Sequence, residues 1–299
     1  MAQALGAAWE RAGHVIFRRA ARAARATARA PLTAPPEAPE VVVLAVKEHA
    51  IGAVAGALVA GGEVPRESVL LHVAGALPPE EVLADVRGAV RGVGLCHPLV
   101  SLADGDPGRL VGATFAVVGD AAGQAAARTL ALDAGGKPVI LRPEGLARYH
   151  AAAALAANHT LALLEAAVAL LIGEGVPRRE AEAALGNLLA SAAHNVVRLG
   201  LPQALTGPIA RGEAAVVARH LAALSPEAHE APEAHETPEA HAPRTAVGSA
   251  PGVAQLYCTT GLGAVALAEK KGAAAPETLA RIRALLIAAL RTEADDETP

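Results

Sequence analysis

The run VVVLAV at Val41 to Val46 constrains the chain most, because it is continuously apolar and β-branched, with none of the polar alternation of a strand that faces water. Such a run is expected of a parallel strand covered on both faces. The helix-like HAIGAVAGALVA follows it, then the strand-like SVLLHVAGAL at Ser68 to Leu77 and a helix beginning near Pro79. GLCHPL, TFAVVG at Thr114 to Gly119 and KPVIL at Lys137 to Leu141 add three more strands. Upstream, MAQALGAAWERAGH reads as a helix stopped at Gly13, feeding a short strand VIF at Val15 to Phe17. Strands alternating with helices predict an α/β fold with a doubly wound sheet.

From Pro143 the pattern changes to long Ala/Leu-rich segments of helical period, Glu144 to Glu174 and Arg178 to Leu199, followed by Ala214 to Leu224, Gly252 to Lys271 and Pro276 to Arg291. The expected organisation is a nucleotide-binding domain over 1–143 and an all-α domain over 144–299. Between Ser225 and Pro251 the motif PEAHEA, PEAHET, PEAHAP repeats without hydrophobic anchors, as in a solvated insert. Its His229, His235 and His241 are six residues apart on a segment that fixes no geometry, so no metal site is expected.

Composition excludes several classes. The hydrophobic share is 53%, much of it Ala, and no uninterrupted apolar run approaches the ~18 residues of a spanning helix, so no membrane partner is expected. A net charge of -4 and a pI near 6.3 argue against nucleic acid. Cys96 and Cys258 form no CxxC, which fits a reducing, cytoplasmic setting. RRAARAARATARA superficially resembles a transit peptide and is read instead as a loop of the nucleotide domain.

A dinucleotide domain opens with a strand, a Gly-x-Gly-x-x-Gly turn and a helix whose first amides hold the pyrophosphate. Here the sequence opens inside that helix, so the first strand and its glycines are missing, as if the start had been assigned about 10 residues late. At the end of the second expected strand stand Arg18 and Arg19 and no acid, the pattern for the 2′-phosphate of NADP. Ala45 and Val46, with His72 and Gly75 in the next strand-to-helix turn, would line the cofactor at the carboxyl edge of the sheet.

Taken together, HVAGAL (His72 to Leu77), CHPL (Cys96 to Leu99), RYHAAAALAANH (Arg148 to His159), ALTGPIARGE (Ala204 to Glu213) and ARHLAAL (Ala218 to Leu224) resemble a family of Rossmann-like proteins with a helical C-terminal domain of unassigned function. That family looks like a branch of the superfamily of ketopantoate reductase, pyrroline-5-carboxylate reductase and 6-phosphogluconate dehydrogenase. The resemblance covers almost the whole chain apart from the PEAHE insert and the tail. Two departures stand out: the missing glycine turn, and Ala74 where the family usually has Ser in an HTSG-like turn.

The resemblance implies an NADP-dependent oxidoreductase that reduces a small oxo or imino acid, ketopantoate-like substrates first, and a homodimer formed through the helical domain. The alternative is a non-catalytic nucleotide-sensing or scaffold protein with a degenerate Rossmann domain. Such a reduction needs a hydride donor, a proton donor and usually a cation for the carboxylate. His97 would serve as acid or orienter. His150 and Asn158, eight apart on one helix, would take the role that a Lys and an Asn hold in related dehydrogenases, with Arg148 and Tyr149 as alternatives. Thr206, Arg211 and His220 would bind the substrate, Arg211 through its planar guanidinium and Thr206 also as a helix cap. The substrate is expected between the two domains.

Overall fold

The computed structural model describes residues 1–18, 38–225 and 252–296, with side chains up to 292. Arg19 and the PEAHE repeat, both singled out in the sequence, lie outside the described residues. The chain divides into two compact units, Met1–Thr160 and Leu161–Pro299.

The first unit is built on five strands in the order β1 (Val41–Leu44), β2 (Val69–His72), β3 (Gly92–Pro98), β4 (Thr114–Gly119) and β5 (Lys137–Ile140). β1, β2 and β3 run parallel, β4 is antiparallel to β3, and β5 is parallel to β4. The sheet is therefore mixed rather than wholly parallel as its strand pattern suggested. A parallel neighbour needs a full crossover connection, usually a helix. Between β3 and β4 the chain forms only the short 3-10 turn Pro107–Leu110, and it comes back antiparallel.

Both faces of the sheet are covered, and the alternation of side chains decides what each face meets. Val69, Leu71, Cys96, Phe115 and Val117 pack on one side under α1 (Ala2–Arg11) and α4 (Ala121–Asp133). Leu70 and Val93 pack on the other with Ile51 and Ala55 of α2 (Ile51–Ala60), and with Leu83, which follows α3 (Pro79–Val82). Farther along that face Leu95, Ala116 and Val118 bury Leu146 of α5 (Leu146–Ala154). In α1 the pairs Ala4/Ala8 and Leu5/Trp9 are spaced by four and form one buried stripe, and the Trp9 indole N–H donates to the Leu130 carbonyl at 2.8 Å. Asp120 joins β3 to α4, accepting from the Val93 and Gly123 amides at 3.0 and 2.8 Å. A Cβ on Gly123 would lie 2.0 Å from the Val93 carbonyl, so only glycine lets that helix sit this close.

Val15 to Phe17 is not a strand; it is irregular and exposed at Val15 and Phe17, because no strand among the described residues lies beside it to pair with. Val41, Val42 and Val43 of β1, the end strand, are only half-buried.

The second unit holds α6 (Thr160–Gly173), α7 (Arg178–Leu199), α8 (Gly207–Arg211), α9 (Ala214–Leu224), α10 (Val253–Lys271) and α11 (Pro276–Asp296), α6 beginning one residue before it. Its core is made by Ile209, Val217, Cys258, Val265, Leu279, Ile282 and Leu286. The first unit runs past Pro143 to Thr160 because Leu146 is drawn into the sheet's core. α5 and α6 are joined without a break by a five-residue π-helix, Leu155–His159. From Pro143 to Gly173 they form one helix long and apolar enough to cross a membrane by length and composition, with a mean hydropathy of 1.7 and 6% of its most apolar window buried. Counting uninterrupted apolar runs misses it, because Asn158, His159 and Glu165 break the run without breaking the helix. Glu165 accepts from Arg178 at 2.7 Å, and Arg178 also donates to Glu182 at 2.8 Å, which ties α6 to α7.

Candidate functional site

Because β1, β2 and β3 are parallel, their carboxyl ends share one sheet edge, where ligands of such folds collect. Ala45 and Val46 follow β1 there, half-buried; His72 ends β2 and leads into the turn with Gly75; His97 is the penultimate residue of β3. α5 lays Tyr149 and His150 over the same edge. His97 Nδ1 is 3.0 Å from the Tyr149 hydroxyl, with the rings edge-to-face at 5.6 Å between centroids. The His150 ring stands 6.0 Å from that of His97. Gly75 is what permits this: a Cβ there would lie 2.8 Å from His150 Nδ1 and from His97 Cε1.

Burial sets the electrostatics of this cluster. It lowers His97 from 6.5 to about 4, helped by the neighbouring charge of His150, and lowers His72 to about 4, helped by His97. It pushes the Tyr149 phenol up to about 12. At neutral pH the imidazoles of His72 and His97 and the phenol are therefore uncharged. His72 is fully buried and its Nδ1 accepts the Ala74 amide at 3.2 Å, so the ring proton belongs on Nε2, which has no partner among the described residues. A buried donor left unmade is costly, and here it lies at the ligand-binding edge.

Asn158 lies in the π-helix. An uninterrupted α-helix would leave it about 80° around the axis from His150. A π-helix takes about 4.4 residues per turn, so the rotation between the two comes to about two full turns and puts both on one side. The sequence placed the two on one face by α-helical spacing; the π segment is what aligns them.

The other expected site residues belong to the second unit. Arg211 gives its Nε and Nη2 to Glu213 at 2.8 and 2.9 Å. Thr206 stands at the N-cap of α8, where its side chain makes no capping bond, contrary to the sequence expectation. His220 Nδ1 is 2.9 Å from the hydroxyl of Tyr257, a partner that sequence reasoning missed. The signal available was scarcity, since the chain has only two tyrosines. Two small cavities flank α8: one of about 240 Å³ with Arg211 and Lys271 in its wall, and one of about 230 Å³ with His220 and Tyr257. Arg18, expected at the 2′-phosphate, donates instead to Glu10 of α1 at 2.9 Å and lies over Gly6. Cys96, its thiol pushed up to about 12 by burial, is an inert core residue. Among the described residues no group of three or more His, Cys, Asp or Glu could hold a metal ion.

A sheet with helices on both faces, followed by a helical unit, is an α/β fold of the Rossmann-like class. Within that class, residues 113–236 match the model of a family described as a domain of unknown function (DUF2520). Among solved structures the chain is similar to protein TM1727 of Thermotoga maritima, with 26% identity over 62% of this chain and 70% of that one and a TM-score of 0.53. It is similar also to BF3122 of Bacteroides fragilis, provisionally called an NADP oxidoreductase, with 21% identity over 75% and 87% and a TM-score of 0.56. A Plasmodium falciparum pyrroline carboxylate reductase solved with NADP bound shares 11% identity over 96% and 94%, with a TM-score of 0.49. No curated protein matches the chain.

Proposed function

We propose that the chain is an NADP-dependent reductase of a small oxo or imino acid, ketopantoate-like substrates first, and that His97 holds the reacting oxygen or nitrogen. The observation that carries this reading is the half-buried His97–Tyr149 pair at the carboxyl edge, with Gly75 leaving room for it. With Tyr149 donating to Nδ1, the proton of the neutral His97 ring is on Nε2. There it is a hydrogen-bond donor toward a substrate oxygen and polarises the bond to be reduced. The Nε2 proton passes to the developing alkoxide, and the Tyr149 phenol, still more acidic than an alcohol, replaces it at Nδ1.

NADPH, when bound, supplies the hydride. The residues that would hold the nucleotide are Ala45, Val46 and the His72 to Gly75 turn at the same edge. The unpartnered Nε2–H of His72 fits an acceptor atom there. Arg18 keeps donors beyond its bond to Glu10 for a phosphate. His150 and Asn158 present polar groups from one side of the helix to the substrate.

The helical unit pairs with a second copy of the chain. Leu161, Leu163, Leu170 and Ile172 of α6 and Leu188, Val197 and Leu199 of α7 are all exposed. A helix apolar all round, as α6 is, belongs in an interior. Two sedimentation runs test this: the native chain is expected to sediment as a dimer and Leu188→Glu as a monomer, and a monomeric native chain sinks the pairing.

Calorimetric titration with NADPH and NADH tests the cofactor. Preferential NADPH binding supports the reading; binding of neither nucleotide would leave the alternative of a scaffold with a degenerate nucleotide domain.

A further inference from the structure

The only two tyrosines of the chain are both bonded through their hydroxyls to a histidine Nδ1, in nearly the same geometry. In the second unit the His220 and Tyr257 rings stand edge-to-face at 5.7 Å between centroids, as His97 and Tyr149 do at 5.6 Å. A pair of this kind spends one polar atom on each ring and leaves His220 Nε2 free to face a ligand. The pair does not fill its surroundings: it borders an open depression of about 230 Å³ that is also lined by Pro208 and Ile209 of α8 and Ala264 of α10. Thr206, at the mouth, carries a hydroxyl that neither caps α8 nor makes another side-chain hydrogen bond among the described residues.

The geometry points to a second ligand site, contained wholly in the helical unit, that binds a small aliphatic carbonyl compound with its oxygen on His220 and Thr206 and its alkyl part against Ile209 and Ala264. The cavity is smaller than the roughly 300 Å³ at which pockets for drug-sized ligands begin, which limits the ligand to a few carbons. The cations Arg211 and Lys271 line the other cavity, across α8, so recognition on this side is by hydrogen bonds and apolar contact rather than by charge. The site needs no nucleotide, and it stands or falls separately from the reductase reading.

The test is a titration of the full-length chain with 2-butanone, a neutral aliphatic carbonyl compound, without nucleotide, followed through the side-chain nitrogen resonances of His220. A saturable shift is expected, with a dissociation constant on the order of 1 mM for a ligand this small. Ala264→Leu fills the cavity and is expected to abolish the shift while leaving the circular dichroism unchanged. Thr206→Val, which removes one hydrogen bond, should weaken binding roughly fivefold. A His220 resonance that does not move, or one that moves equally in Ala264→Leu, overturns the site.

Discussion

The two histidine–tyrosine pairs differ in where they sit, and the difference separates geometry from chemistry. His97 and Tyr149 stand at the end of a buried strand, and burial holds the imidazole near 4 and the phenol near 12, so both stay uncharged over the physiological range. His220 and Tyr257 have the same ring geometry between two helices, with His220 exposed. Burial together with Cys258 raises Tyr257 as well, so that phenol too is uncharged at neutral pH. An edge-to-face contact and one hydrogen bond therefore make a pair that recurs; the low-dielectric strand end makes one of the two a fixed, neutral donor.

The sharpest way to break this comparison is to remove one imidazole at a time. His97→Asn is expected to lower NADPH-dependent reduction by about 10²- to 10⁴-fold, the range of a lost general acid, while His220→Asn leaves kcat within about threefold. Equal losses in steady-state kinetics would show that the buried setting confers nothing.

Next in size is Gly75→Ala. Its Cβ would meet the His97 and His150 rings at 2.8 Å, so the rings must shift at a cost of about 1–3 kcal/mol in denaturant unfolding. A neutral result would mean that the rings move freely and that the strand-end pair is no more rigid than its counterpart.

The last effect, read as a slope rather than a single value, is on the pH dependence of stability. His72 and His97 titrate near 4 in the fold against an ordinary 6.5, so between those values the unfolded chain binds more protons. Stability is full above about pH 6.5 and is lost as the pH falls toward 4, with the fully buried His72 contributing up to about 1.4 kcal/mol per pH unit. His72→Leu should flatten that slope; an unchanged slope would remove His72 from the account.

Much of the fold is legible along the chain. TFAVVG forms a strand over the expected residues and Arg178–Leu199 a helix, because a short apolar run bounded by turns and a long segment of helical period are each strong local signals. The direction of β4 is not legible from strand spacing, since it depends on whether the linker before it forms a crossover helix. The site is legible in its types and not in its pairings. His97 and Tyr149 are 52 residues apart and His220 and Tyr257 are 37 apart, and only the packing of α5 on the sheet, or of α9 beside α10, brings them together. The π-helix has no sequence signature that helical period detects: LAANH lies between Ala/Leu-rich segments that are helical on both sides.

Trp9 anchors α1 through the Leu130 carbonyl, and it is the chain's single tryptophan. Its intrinsic emission is therefore a beacon for the sheet unit alone, and the helical unit is dark at those wavelengths. Because far-ultraviolet ellipticity reports the helices of both units, melting followed at 295 nm excitation and melting followed by ellipticity read different parts of the molecule, and the gap between the two curves measures how independently the halves come apart.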